Sequence, residues 1–359
     1  AADERALPGG VGGTELGGNR VGGEVIPRNS PAVLNTHMYG VLFWDGRVEI
    51  LANGDLSTPA GPAISAAIRP ILDPRWELLA AQAMFPVTSR HEMRSFPGDS
   101  ADNLSDVDDD DLEGMWDTLM TRVLAFPAYR QMFLAAYPGV DPADYHFAHA
   151  ANAIAAFETK AFACLDSDFE RFVKGDNEAL TEDQIAGANE FFGDARCSEC
   201  HAGNTFSDNQ HHNTGLAQFG PGKGDGAGGA DDFGRERVTG DAMDRYKFRT
   251  PILLNIALTA PYGHDGQYAT LESFIEHYLD ATTSLNDYDI TEEVNDSSLH
   301  GTVFDNRAEV LTRLSDKLTA PLSFDVTKMA EFLRSLTAVE AIDLSILVPN
   351  SVPSGLPVD

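Results

Sequence analysis

Cysteine is nearly absent. Three of the 359 residues carry a thiol, Cys164, Cys197 and Cys200, too few for a disulfide framework. Basic residues are scarce as well. Against 56 Asp and Glu stand 25 Lys and Arg, a net charge of −31 that repels phosphate backbones and anionic lipid headgroups. Nucleic-acid and membrane-surface binding are therefore poor expectations. The same acidity suits a soluble protein in salty surroundings or a dock for basic partners, and both readings stand. Apolar stretches such as 252–260 fall far short of the ~20 residues that span a bilayer, so no transmembrane helix is expected. The opening Ala-Ala-Asp-Glu lacks the basic and apolar regions of a secretion signal. Alternating strand patterns are few and no repeat of fixed period occurs, which argues against sheet-rich and solenoid architectures.

What remains is mostly helical pattern. With 43% hydrophobic residues the composition can build a core, and the length predicts two to three compact units. Residues 1–31 are glycine-rich, contain Pro27 and Pro31, and read as looped chain wrapped over something else. From about 62 to 98 an apolar pattern interrupted by Pro70, Pro74 and Pro86 predicts short helices. The acidic run Asp106–Glu113 has an Asp-x-Asp spacing but lacks the glycine and closing glutamate of a calcium loop, so it reads as an acidic first helical turn. Helices are expected over 112–136 and 142–163, the second placing Phe147, Ala150, Ile154 and Phe157 on one stripe. Thr181 and Gln184 form a capping box for a helix that stops at Gly193. After loops over 203–245, helices return at 271–279 and 326–337, the latter with Met329, Phe332, Leu333 and Leu336 on one stripe. The glycine run at 222–229 has no Gly-Lys-Ser/Thr ending and is no phosphate cradle. The fold class expected is mainly α, with long loops.

One motif carries chemistry by itself. Cys197-Ser-Glu-Cys200-His201 is a Cys-x-x-Cys-His, in which two thiols add to porphyrin vinyl groups and the adjacent imidazole ligates iron. A zinc site would need two more good ligands, and no second cysteine pair exists. A thioredoxin-like redox pair would need a βαβ context that is missing. The motif thus predicts covalent haem c at Cys197 and Cys200, with His201 as proximal iron ligand. Covalent haem is attached outside the bacterial cytoplasm, so a periplasmic or otherwise exported protein is expected. Cys164 is left as a small core residue. The opposite face of the iron needs a partner. In the helix at 271–279, Leu271, Phe274, Ile275 and Tyr278 share one stripe, while His277 lies about 100° away beside Ser273 and Glu276. Tyr278 is expected to point inward and His277 outward, and periodicity alone makes Tyr278 a core aromatic.

The sequence resembles the bacterial di-haem cytochrome c peroxidases and their relatives MauG and MbnH. The resemblance rests on Arg28-Asn-Ser-Pro-Ala-Val-Leu-Asn35, Phe43-Trp-Asp-Gly-Arg47, Gln82 with Glu92-Met93, Cys197 to His201, and Leu258-Thr-Ala-Pro-Tyr-Gly-His-Asp-Gly266. It implies two cytochrome c-like helical domains: 1–165, of the peroxidatic type, and 166–345, with the covalent haem, followed by a tail at 346–359. It also implies calcium between them. Carried over by position, Tyr278 becomes the distal iron ligand where the peroxide-scavenging members have methionine and MauG has tyrosine. A hard phenolate would lower the iron's potential relative to a thioether. Trp44 resembles the tryptophan that relays charge between the haems. Gln82 and Glu92 resemble the distal polar pair over the peroxidatic haem, where a carboxylate can move a proton between peroxide oxygens. Asn29 and the carbonyls of Thr259 and Pro261 resemble the calcium ligands.

Some positions depart from the family. Its first Cys-x-x-Cys-His should lie just before residue 1, and none occurs upstream of Cys197. Retention of Trp44, Gln82 and Glu92 implies that a second haem c exists, attached by a segment outside this chain; another chain, or loss of that haem, are the alternatives. Between Arg47 and Gln82 there is an insertion, Leu254 stands where the family usually has arginine, and Gly17–Gly23 offers no histidine to cap a resting haem. The resulting expectation is a MauG-like peroxidase that uses hydrogen peroxide to oxidise a partner protein through Trp44. Two other readings are a peroxide-scavenging di-haem cytochrome c peroxidase fed by a small cytochrome or cupredoxin, steered by the acidic charge, and a mono-haem electron-transfer protein.

Overall fold

A computed structural model describes residues 25–94, 104–356 and 358. The expectation about Gly17–Gly23 lies outside the described residues. The fold is mainly α. In chain order, β1 (Val41–Leu42), β2 (Val48–Ile50) and β3 (Leu56–Ser57) precede α1 (Gly61–Ile68), α2 (Glu77–Ala83), α3 (Leu112–Ala125), α4 (Pro127–Ala136) and α5 (Phe147–Ala161). Then come α6 (Asp168–Val173), α7 (Glu182–Phe192), β4 (His211–His212), α8 (Glu236–Thr239) and β5 (Phe248–Arg249). The chain closes with α9 (Leu271–His277), α10 (Ala281–Asp287), α11 (Ile290–Glu293), α12 (Arg307–Thr312) and α13 (Val326–Arg334). Strands β2 and β3 form an antiparallel hairpin, as do β4 and β5. Among the described residues no helix is long and apolar enough to cross a membrane.

Two compact units emerge. One joins the chain up to Arg47 with Cys164–Ile342; the other joins Val48–Ala163 with Asp343–Asp359. These limits redraw the expected 1–165, 166–345 and 346–359. The reason is local bonding. Arg28 ion-pairs with Asp232, Asn29 donates to the Pro261 carbonyl, and Asn35 donates to the Cys164 carbonyl, so residues 25–47 are tied to the cysteine-bearing unit. Of the looped segment expected over 1–31, residues 1–24 lie outside the described residues.

In the unit built on 48–163, small residues set the packing. Helices α2 and α5 meet through Ala80, Ala81, Ala148, Ala151 and Ala155, all fully buried. Asn152 of α5 accepts from the Asp73 amide and donates to the Ile71 carbonyl, both at 2.8 Å, pinning the preceding loop. Of the expected stripe of α5 only Phe147 is buried, and Ala150 is half-buried. Ile154 and Phe157 are 39% and 52% exposed, because the close alanine contact takes the inward face and turns the bulky residues away. Helix 112–136 is also interrupted. Phe126 is extended, and Pro127 starts α4 where its missing N–H costs nothing.

In the cysteine-bearing unit, α7 packs on α13. The capping box is present: Thr181 Oγ1 accepts from the Gln184 amide at 3.2 Å, and Gln184 Oε1 from the Thr181 amide at 2.9 Å. Gly187 permits the approach, since a Cβ there would stand 2.0 Å from the Lys328 carbonyl oxygen. Met329, Phe332, Leu333 and Leu336 are buried as expected, with Phe191 and Phe206 packed around Phe332. Cys164 is a buried free thiol.

Candidate functional site

Helix α7 stops at Gly193, and a left-handed Arg196 starts a tight turn at Cys197–Glu199. The amides of Cys200 and His201 both donate to the Cys197 carbonyl, at 3.3 and 2.9 Å. The turn brings Cys197, Cys200 and His201 into one cavity of about 210 Å³. His201 Nδ1 donates to the Phe206 carbonyl at 2.8 Å, a contact that orients the ring and fixes the tautomer with Nε2 left for a ligand. Burial pushes its pKa down, so the imidazole is neutral and able to bind metal. Burial also raises the Cys197 thiol to about 12. Neither thiol of the motif is in a disulfide.

The rest of the cavity suits a flat apolar cofactor with a polar edge. Leu271, Phe274, Ile275 and Tyr278 all line it, so the stripe of α9 faces the cavity as a unit. Burial raises the Tyr278 phenol, as do the charges of Cys200 and Cys197, while a hydrogen bond with Thr214 opposes them. Thioether formation would remove those two charges. Trp44 lines the cavity and donates Nε1 to the Asn29 carbonyl at 2.8 Å. These residues fit a covalent haem: two thiols, an oriented imidazole, a tyrosine and an apolar wall share one space.

His277 does not point outward. It is fully buried, donating Nε2 to the Thr214 carbonyl at 2.8 Å, with Nδ1 at 2.9 Å from Ser284 Oγ. The polar flank of α9 is covered by α10 and the Thr214 loop, which helical periodicity could not reveal. Asn29 Nδ2 donates to the Pro261 carbonyl at 2.8 Å, and Thr259 lines the same cavity, so the three expected calcium ligands lie close to one another around it. Gln82 and Glu92 belong to the other unit. Gln82 Oε1 is buried with no hydrogen-bond partner among the described residues; Glu92 is exposed on the single π-turn Arg90–Arg94.

Sequence reasoning missed two features. Cys200, Asp208 and His212 offer ligand atoms within 4.8 Å of one another, and His212 Nε2 bonds Asp208 Oδ2 at 2.8 Å. The spacing Asp-x-x-x-His was visible, but nothing in it pointed back to Cys200. The second is a buried ion triad: Arg28 donates to Asp45 at 2.6 Å and bidentately to Asp232 at 2.6 and 2.8 Å.

The buried histidines set a pH dependence. Burial lowers His264 to about 3 and His277 to about 4, against about 6.5 in an unfolded chain. Between these limits the unfolded chain takes up protons that the folded chain refuses, so stability is full above about pH 6.5 and falls as pH drops. Urea unfolding should show a loss of ~2 kcal/mol per histidine between about pH 7 and about pH 5. His277→Gln should flatten that slope, and an unchanged slope would show that His277 is protonated in the fold.

The model of the di-haem cytochrome c peroxidase family matches residues 5–178. MauG of Methylorubrum extorquens is 29% identical over 256 residues, 71% of this chain and 55% of its own length. Cytochrome c551 peroxidase of Nitrosomonas europaea is 30% identical over 250 residues, 70% of this chain and 58% of its own. The chain spans about half the length of the curated relatives it matches. Among solved structures, a MauG-like protein associated with microbial copper homeostasis is 27% identical with a TM-score of 0.56, covering 87% of this chain and 76% of that one. The diheme peroxidase BthA from Burkholderia thailandensis, 16% identical, shares the fold at a TM-score of 0.58, over 94% of this chain and 78% of its own. With Cys-x-x-Cys-His opening into a cavity lined by Trp44 and Tyr278, and with relatives of both kinds, the chain is similar to the di-haem cytochrome c peroxidases and MauG.

Proposed function

We propose that this chain serves a periplasmic, MauG-like haem peroxidase that reduces hydrogen peroxide with electrons taken from a partner protein. Two electrons drawn from a tryptophan or tyrosine side chain of the partner, with two protons, convert one peroxide to two waters. The observation that carries this reading is the shared cavity of Cys197, Cys200, His201, Trp44 and Tyr278. Covalent haem c, when bound, supplies the iron at which redox chemistry occurs. His201 would ligate it through Nε2, its tautomer held by Phe206. Tyr278 would offer a hard oxygen ligand from α9, which favours the oxidised metal. Trp44, fixed by its bond to the Asn29 carbonyl, would relay charge. Asn29, Thr259 and Pro261 would hold calcium through oxygen atoms. Gln82 and Glu92 would serve a second haem, which supplies the iron for peroxide reduction when bound, with Gln82 as polar partner and Glu92 moving the proton. The unpartnered Gln82 Oε1 supports a ligand there.

A peroxide-scavenging peroxidase fed by a basic cytochrome or cupredoxin is the second reading, favoured by the net charge of −31. Tyr278→Met separates the two. In the intact holoprotein the change should raise the haem's potential, because a thioether favours reduced iron, and should abolish oxidation of the partner while peroxide consumption with a small donor survives. A potential that stays put would make Tyr278 a core aromatic. A single haem per intact protein, inert to peroxide, would leave an electron carrier.

A further inference from the structure

Arg249 is a buried cation without an acid to answer it. Its side chain is 3% exposed. Nε donates to the Phe43 carbonyl at 3.1 Å, Nη1 donates to the Thr250 carbonyl at 3.3 Å, and Cζ lies 3.7 Å over the Tyr39 ring. Among the described residues no carboxylate pairs with it, in contrast to Arg28 between Asp45 and Asp232. A buried charge left unpaired is strongly unfavourable, so the site calls for an anion.

Its position says which anion. Arg249 lines the cavity that holds Cys197, Cys200 and His201. The other cationic lining residues are engaged: Arg196 pairs with the Glu199 carboxylate, and Lys317 donates to the Glu199 carbonyl at 2.7 Å and to Cys200 Sγ at 3.4 Å. A haem in this cavity brings carboxylates of its own, the two propionates, and a guanidinium fork matches a carboxylate. We infer that Arg249 is the propionate anchor of this haem. The Arg249 amide donates to the Trp44 carbonyl at 2.8 Å, and both residues line the cavity, so the two stand on adjoining segments of its wall. Arg249 is then a positioning residue for the relay as well as a source of positive charge that favours reduced iron.

The inference rests on the reading that this cavity takes haem. Haem content of each holoprotein, measured as the pyridine complex, tests that reading separately: native protein without covalent haem would defeat the reading, whereas the outcomes below bear on Arg249 alone. Arg249→Gln with haem retained should lower the midpoint potential, moving the one-electron equilibrium against a reference couple about tenfold toward oxidised haem, a drop of about 59 mV. Arg249→Lys should restore most of it, since the charge returns. An unchanged potential in Arg249→Gln, or an equal drop in both variants, would overturn the assignment. Should Arg249→Gln not fold, the lysine variant decides by resonance Raman. The propionate-bending band should move when a fork is replaced by a single ammonium, and a band at its native frequency would overturn the anchor.

Discussion

Arg28→Met should destabilise the fold by ~3–5 kcal/mol, the cost of leaving buried charges without their partner. Arg28, Asp45 and Asp232 are 8%, 3% and 2% exposed. Burial alone would push both carboxyls up, yet Arg28 beside them holds each below the ordinary carboxylate range, helped at Asp45 by Arg47. Burial likewise disfavours the Arg28 cation, and the two carboxylates more than reverse it. Without the guanidinium, two carboxylates would face each other in a medium that cannot solvate them. Lysine should not rescue, because it cannot supply one donor to Asp45 and two to Asp232. Adding Asp45→Asn and Asp232→Asn to Arg28→Met should recover much of the loss. Denaturant midpoints measure all three, and a single-variant loss under about 1 kcal/mol would show the triad to be solvated. Since the folded carboxyl pKa values are depressed, this stability is full above the unfolded values of about 4 and is lost only as pH falls through the lower, folded values.

Glu92→Gln should reduce peroxide turnover of the intact holoprotein by about 10²–10⁴, the usual worth of a positioned proton donor or acceptor. The glutamine keeps shape and hydrogen bonding but cannot exchange a proton at neutral pH. Haem content and thermal stability should not change, because Glu92 is exposed in its own unit and contributes little to packing. Gln82→Leu should have a smaller effect on turnover and should stabilise its unit slightly, since Oε1 is buried without a partner. Full activity in Glu92→Gln would make it a surface acid and would move the proton-transfer role elsewhere.

Local sequence determined a good deal of this protein. The capping box at Thr181 and Gln184, the inward stripe of α13, the break at Pro127 in hindsight, and the haem motif at Cys197–His201 all rest on interactions within a few residues, which is the range that pattern and propensity report. Tyr278 was legible as part of an apolar stripe, and that whole stripe lines the cavity. Its neighbour His277 was not, because its cover comes from Thr214, Tyr268 and Ser284, contacts that no helical period encodes. The α5 stripe failed for the same reason: which face turns inward was decided by how closely alanines let α2 approach. Only the tertiary structure assembled Arg28 with Asp232, 204 positions away, and left Arg249 buried without an acid, since charge pairing depends on where distant segments meet. Sequence thus singled out Cys197, Cys200, His201 and Tyr278, and folding brought them into one cavity and decided which charges surround it.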